Sequence, residues 1–164
     1  MSAARLLIVD DEQSLLDFLG VLCAGEGYEV VTATCIREAR ERLAERTPDL
    51  VLCDMLMPDG NGLDLLREIR AVESGPAVIM MTAYTSTRSA IEAMKAGAYD
   101  YVPKPFDVDE LKETVLREVA KGVVADAFMA YLEDQIGPTA GRTIPERWEQ
   151  FLNACLEASK PAEV

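Results

Sequence analysis

The sequence contains no histidine, so a zinc centre would lack its usual nitrogen ligand. The four cysteines, Cys23, Cys35, Cys53 and Cys155, show no CxxC spacing that could supply sulfur ligands instead. They read as small apolar core residues in a reducing cytoplasm. Basic clusters are also missing: 16 Lys and Arg stand against 29 Asp and Glu, a net charge of −13. That is the opposite of what neutralises a phosphate backbone, so no direct nucleic-acid binding is expected. No apolar run approaches the roughly 18 residues of a membrane span, and the N-terminus carries no signal-peptide stretch. The expectation is a chain that is neither exported nor inserted in a membrane.

What is present suits a core of ordinary size plus an appendage, since 49% of the 164 residues are apolar. Short β-branched runs alternate with longer helical patterns, which signals a parallel sheet with crossover helices. Strands are predicted near residues 5–10, 29–33, 50–54, 77–82 and 100–102. Between them, residues 13–24, 36–45, 63–72 and 87–96 carry apolar faces at i, i+3, i+4 spacing. Gly25-Glu26-Gly27 and Gly97 fall where helix C-termini need caps. Thr34 and Asp107 are candidate N-caps.

The strand ends carry the chemistry. Leu6-Leu7-Ile8-Val9 runs into Asp10-Asp11, Leu50-Val51-Leu52-Cys53 into Asp54, Val78-Ile79-Met80-Met81 into Thr82, and Tyr101-Val102-Pro103 into Lys104. Open α/β sheets place their sites at the C-terminal edges of the strands. If these edges coincide, three carboxylates, a hydroxyl and an ammonium share one pocket. Taken singly, an Asp pair after a strand is often only a helix cap, and Lys104 or Thr82 only a surface or cap residue. Cys53 should point to the face opposite Asp54 by strand alternation and belong to the core.

Asp10-Asp11, Asp54 with Met57-Pro58 and Gly62, Thr82-Ala83, Tyr101 and Lys104-Pro105 stand in the order and spacing of a known family. Over residues 3–121 the chain resembles a receiver domain of two-component response regulators. The stretch Gly97-Ala98-Tyr99-Asp100-Tyr101-Val102-Pro103-Lys104-Pro105-Phe106-Asp107 is most similar to receivers of bacterial enhancer-binding transcription activators. The resemblance implies a flavodoxin-like, doubly wound five-stranded parallel sheet of order 2-1-3-4-5. It implies a phosphoryl group accepted on Asp54 from a histidine kinase, with Mg²⁺ held by Asp10, Asp11, Asp54 and the Leu56 carbonyl. Lys104 and Thr82 would meet the phosphoryl group, Tyr101 would be the switch aromatic, and the Lys104–Pro105 bond would be cis. Elementary chemistry agrees, because a carboxylate attacks an anionic donor poorly unless a divalent cation lies between them. Leu56, two past the acceptor, and Tyr84, two past Thr82, are bulky where polar residues of the family can help orient water, and are expected to shield the phosphoryl group. Such a domain is an enzyme only in that it catalyses its own phosphorylation and dephosphorylation.

The fifth helix is expected to start after Asp107 and to keep its apolar face through Leu111, Val115, Val119, Val123, Phe128, Leu132 and Ile136, up to Gly137-Pro138. Residues 122–164 then form a helical extension, with a capping box at Thr143-Ile144-Pro145-Glu146 and an apolar stripe of Trp148, Phe151, Leu152, Cys155 and Leu156. With three basic and seven acidic side chains, that extension is too short and too acidic for a helix-turn-helix output domain. Two outputs compete. Either residues 107–164 form a homodimer or partner surface of a stand-alone switch, or the chain is the receiver piece of a larger DNA-binding activator.

Overall fold

In the computed structural model, residues 3–73, 75–83 and 87–136 are described, with side chains described through residue 122 apart from Thr87. The chain divides into two compact units, Met1–Val119 and Ala120–Val164. The first holds the sheet; of the second, the described residues 120–136 are helical.

Five strands form the sheet: β1 Arg5–Val9, β2 Glu29–Ala33, β3 Leu50–Asp54, β4 Ala77–Thr82 and β5 Asp100–Pro103. All pair in parallel, in the order β2-β1-β3-β4-β5. The helices are α1 Gln13–Gly25, α2 Ile36–Glu45, α3 Gly62–Ala71, α4 Thr87–Lys95 and α5 Val108–Ile136. This is the expected flavodoxin-like architecture, with element ends within a residue or so of the predicted ones. Gly137, Pro138 and the Trp148 stripe lie outside the described residues.

Alternation along the strands explains the layers. Leu7, Val9, Val51, Cys53, Val78 and Met80 enter the apolar cluster shared with Ile36 and Ala39 of α2, Leu63, Leu65, Leu66 and Ile69 of α3, and Ala93 of α4. Leu6, Ile8, Leu50, Leu52, Ile79 and Met81 face the opposite way, against Leu16, Leu19 and Cys23 of α1 and Leu111, Val115 and Val119 of α5. Because both faces are covered, the central strands read as unbroken apolar runs. Cys53 is buried core, as expected.

Two caps differ in kind. Asp107 caps α5 as expected, its Oδ1 accepting the Glu110 N–H at 3.0 Å. Thr34 does not cap α2. The N-cap is Cys35, whose sulfur accepts the Glu38 N–H at 3.5 Å, while the Thr34 N–H and hydroxyl both donate to the Glu38 carboxylate, at 2.8 and 3.0 Å. Thr34 thus sits one residue too early and serves as donor. After α1 the left-handed residue is Gly27, at φ 92°, and after α4 it is Gly97, at φ 97°.

Candidate functional site at the C-terminal edge of the sheet

The order β2-β1-β3 makes the chain reverse direction across the sheet between β1 and β3, and the ends of those two strands supply the acids. Asp10 follows β1 and is fully buried; its Oδ1 accepts the Glu12 N–H at 2.9 Å. Asp11 is exposed beside it. Asp54 ends β3, half-buried, with Oδ1 accepting the Met55 N–H at 2.8 Å. One carboxylate oxygen from each of Asp10, Asp11 and Asp54 falls within 4.8 Å of the others.

Lys104 arrives from the far side. It follows β5, its N–H donates to the Thr82 carbonyl at 2.7 Å, and the Lys104–Pro105 peptide is cis. Its ammonium binds Asp10 Oδ2 and lies 3.3 Å from Asp54 Oδ2. Burial alone would lower the Lys104 pKa, but the carboxylates of Asp10 and Asp54 outweigh it and hold the ammonium above its ordinary range. Asp54 is pushed up, first by burial and then by the Asp10 charge, against the pull of Lys104. Thr82 closes β4 fully buried. Tyr101 stands opposite Met80 in the β4–β5 pairing, so alternation puts Tyr101 and Thr82 on one sheet face, with Tyr101 partly buried against the cluster under α4.

The loop after Asp54 is short and tied down. Leu56–Met57 and Gly60–Asn61 form a two-residue antiparallel pair, and the Gly62 N–H donates to the Met55 carbonyl at 2.7 Å. A Cβ on Gly62 would stand 2.0 Å from the Asp54 carbonyl oxygen, so only glycine fits. Asn61 caps α3 through the Leu63 N–H at 2.8 Å. Asp59 is the residue that sequence reasoning missed: its two oxygens accept the Ile36 and Arg37 N–H groups of α2, at 2.8 and 3.0 Å. Those backbone hydrogen bonds hold its carboxyl below the usual range. The Leu56 side chain is half exposed, and Tyr84 lies outside the described residues.

With the acids ionised, three carboxylates against one ammonium leave two negative charges uncompensated among the described side chains. That donor set, all hard oxygen, suits a divalent cation such as Mg²⁺.

The sequence profile of the response regulator receiver domain matches residues 6–116. The chain belongs to this family. The transcriptional regulatory protein ZraR of Escherichia coli O157:H7 is 43% identical over 122 residues, 74% of this chain and 28% of that protein. The regulatory protein AtoC of Escherichia coli K12 is 44% identical over 113 residues, 69% of this chain and 24% of that protein. The chain therefore spans about a quarter of the length of these relatives. The DNA-binding response regulator MtrA of Mycolicibacterium smegmatis is 33% identical over 98% of this chain and 73% of its own length. Among solved structures, a receiver domain protein from Methanospirillum hungatei JF-1 superposes with a TM-score of 0.70 at 31% identity, covering 74% of this chain and 97% of its own. The beryllofluoride-activated NtrC4 receiver domain dimer gives 0.68 at 33% identity, covering 72% and 98%. As a receiver domain of two-component response regulators, the chain is a phosphorylation-signalling module. Among the described residues, no helix is long and apolar enough to cross a membrane.

Proposed function

We propose that this receiver, over residues 3–121, takes a phosphoryl group on Asp54 from a histidine kinase in the cytoplasm. The observation that carries the reading is the convergence on Asp54 of two further carboxylates within 4.8 Å and of the Lys104 ammonium at 3.3 Å. An Asp54 oxygen attacks phosphorus; the new P–O bond forms as the donor's bond to phosphorus breaks and its electron pair leaves with the donor, a histidine nitrogen in the kinase. Asp10, Asp11, Asp54 and the Leu56 carbonyl would hold Mg²⁺, which when bound screens the donor's charge from the carboxylates. Lys104 stays close to the Asp54 oxygens and offers a positive charge to the transferred group. Thr82 offers a hydroxyl, and Tyr101, on the same sheet face, follows Thr82 inward. The result is a shift between two pre-existing shapes of the surface around α4, β5 and α5.

The test is incubation of the full chain with a small acyl phosphate and Mg²⁺, followed by intact-mass spectrometry. One base-labile phosphoryl group is expected, and Asp54→Ala removes it. Labelling that persists in Asp54→Ala overturns the assignment.

The relatives favour a second reading of the output. ZraR is named a transcriptional regulatory protein and MtrA a DNA-binding response regulator, and the first is several times longer than the matched segment. On this reading the switch drives a DNA-binding output carried by further chain, whereas on the first reading residues 107–164 bind a second copy or a partner. The reading frame downstream of the Val164 codon distinguishes the two.

A further inference from the structure

Helix α2 begins with a weak cap. Its N-cap sulfur is 3.5 Å from one amide, and the free N–H groups of its first turn need acceptors from elsewhere. A single carboxylate, Asp59, supplies them, one oxygen to Ile36 at 2.8 Å and the other to Arg37 at 3.0 Å. Its charge suits the positive end of the helix. The two partners lie 23 and 22 residues away in sequence, so this is a tertiary clamp. Asp59 sits at the tip of the hairpin that follows the acceptor, between Met57 and Gly60, and the base of that hairpin is held by the Gly62 to Met55 hydrogen bond and by the Asn61 cap on α3. Leu56 lies on that hairpin, paired with Asn61.

We propose that Asp59 is a positioning residue for the cation site: by clamping the hairpin to α2 it fixes the backbone of Leu56, whose carbonyl completes the oxygen set of Asp10, Asp11 and Asp54. The inference rests on the cation site proposed above. Mg²⁺ demands near-octahedral geometry at about 2.0–2.1 Å, so a carbonyl on a loose hairpin is a poor ligand. Removing a group bonded directly to a metal ligand typically weakens metal binding about 10- to 100-fold. Asp59 acts one step further out, through the hairpin backbone, so the low end of that range is expected. The fold has its own stake in the clamp: Arg37 is exposed and water can reach its freed N–H, but Ile36 is buried and its N–H would lose its acceptor, so stability is read separately from metal binding.

The experiment is an MgCl₂ titration of the full chain followed by two-dimensional amide NMR, on wild type, Asp59→Ala, Asp59→Asn and Asp11→Ala. Metal-free spectra and thermal melts in EDTA report the fold. Asp59→Ala should bind Mg²⁺ about tenfold more weakly with its spectral dispersion intact, and Asp59→Asn, which keeps one acceptor oxygen, should fall between. Wild-type Mg²⁺ affinity in Asp59→Ala, with or without a lower melting temperature, makes Asp59 a helix cap only and overturns the inference. Should Asp59→Ala not fold, Asp59→Asn decides by the same criterion. No Mg²⁺ response in wild type overturns the cation site itself, and the inference with it. A wild-type response that Asp11→Ala weakens and Asp59→Ala leaves untouched overturns the inference alone.

Discussion

Lys104 Nζ lies 3.3 Å from Asp54 Oδ2. The same nitrogen also binds Asp10, whose carboxylate is completely buried, so one ammonium is shared between acids at the ends of two strands. Replacing Lys104 with Met should have two opposite effects. Mg²⁺ should bind more tightly, because a competing cation is gone. Labelling at saturating Mg²⁺ should slow by roughly tenfold or more, because the donor's phosphoryl group loses a positive charge near its path. Without metal, the orphaned Asp10 carboxylate should cost about 3 kcal/mol of stability, the low end expected for breaking a buried ion pair. Chemical denaturation in EDTA and an Mg²⁺ titration together check this; unchanged stability and unchanged Mg²⁺ affinity would refute it.

Asp11 is the exposed member of the acidic cluster and has little to do in the fold. Asp11→Ala should therefore leave the melting temperature in EDTA no lower than wild type and should raise it, because one of three mutually repelling carboxylates is gone. It should also raise the Mg²⁺ concentration needed for half-maximal labelling about tenfold or more. An unchanged Mg²⁺ dependence would remove Asp11 from the cation site.

Gly62 tests how tightly the acceptor loop closes. The Cβ of Gly62→Ala would fall 2.0 Å from the Asp54 carbonyl oxygen and 3.2 Å from Cys53 Sγ. The nearest atom is backbone of the acceptor residue itself, so relief requires moving Asp54. A loss of about 3 kcal/mol or more is expected, above the usual range for overpacking. A urea midpoint within error of wild type would show that the loop has slack the contact distances deny.

The architecture was legible because both sheet faces are covered. β1 and β3 read as continuous apolar runs, and the polar residue ending each run marked the site edge. Asp10, Asp54, Thr82 and Lys104 could be placed together from those ends alone. The Lys104 to Asp10 ion pair could not, because it depends on how far a side chain from the sheet's edge strand reaches across β4 and β3 to the end of β1. The Asp59 clamp was hidden for a related reason: capping rules look within a few residues, and its partners Ile36 and Arg37 lie on another crossover. Thr34 was misplaced by one residue because cap preferences rank threonine far above cysteine, while the strong acceptors at this helix start are carboxylates, Glu38 for Thr34 and the distant Asp59 for Ile36 and Arg37. The Leu56–Met57 and Gly60–Asn61 pair is two residues long, too short to leave a periodic signal.

Glu38 offers a pH signature of the α2 start. Its carboxyl is held below the usual range, chiefly by the Thr34 backbone N–H, with the Thr34 hydroxyl and Arg42 adding to the effect against some desolvation. A carboxyl with a lowered pKa in the folded state stabilises the fold above its unfolded pKa of about 4.3, and that contribution disappears as pH falls through the folded value. Glu38→Gln keeps an acceptor oxygen but loses the charge, so it should be less stable than wild type by about 1 kcal/mol at pH 7. The gap should narrow as the pH falls below that unfolded pKa, because wild-type Glu38 itself then takes up a proton. Urea denaturation of both chains at several pH values measures it. A gap that stays constant from pH 7 to pH 3 would mean that shape rather than charge sets the role of Glu38 at this helix end.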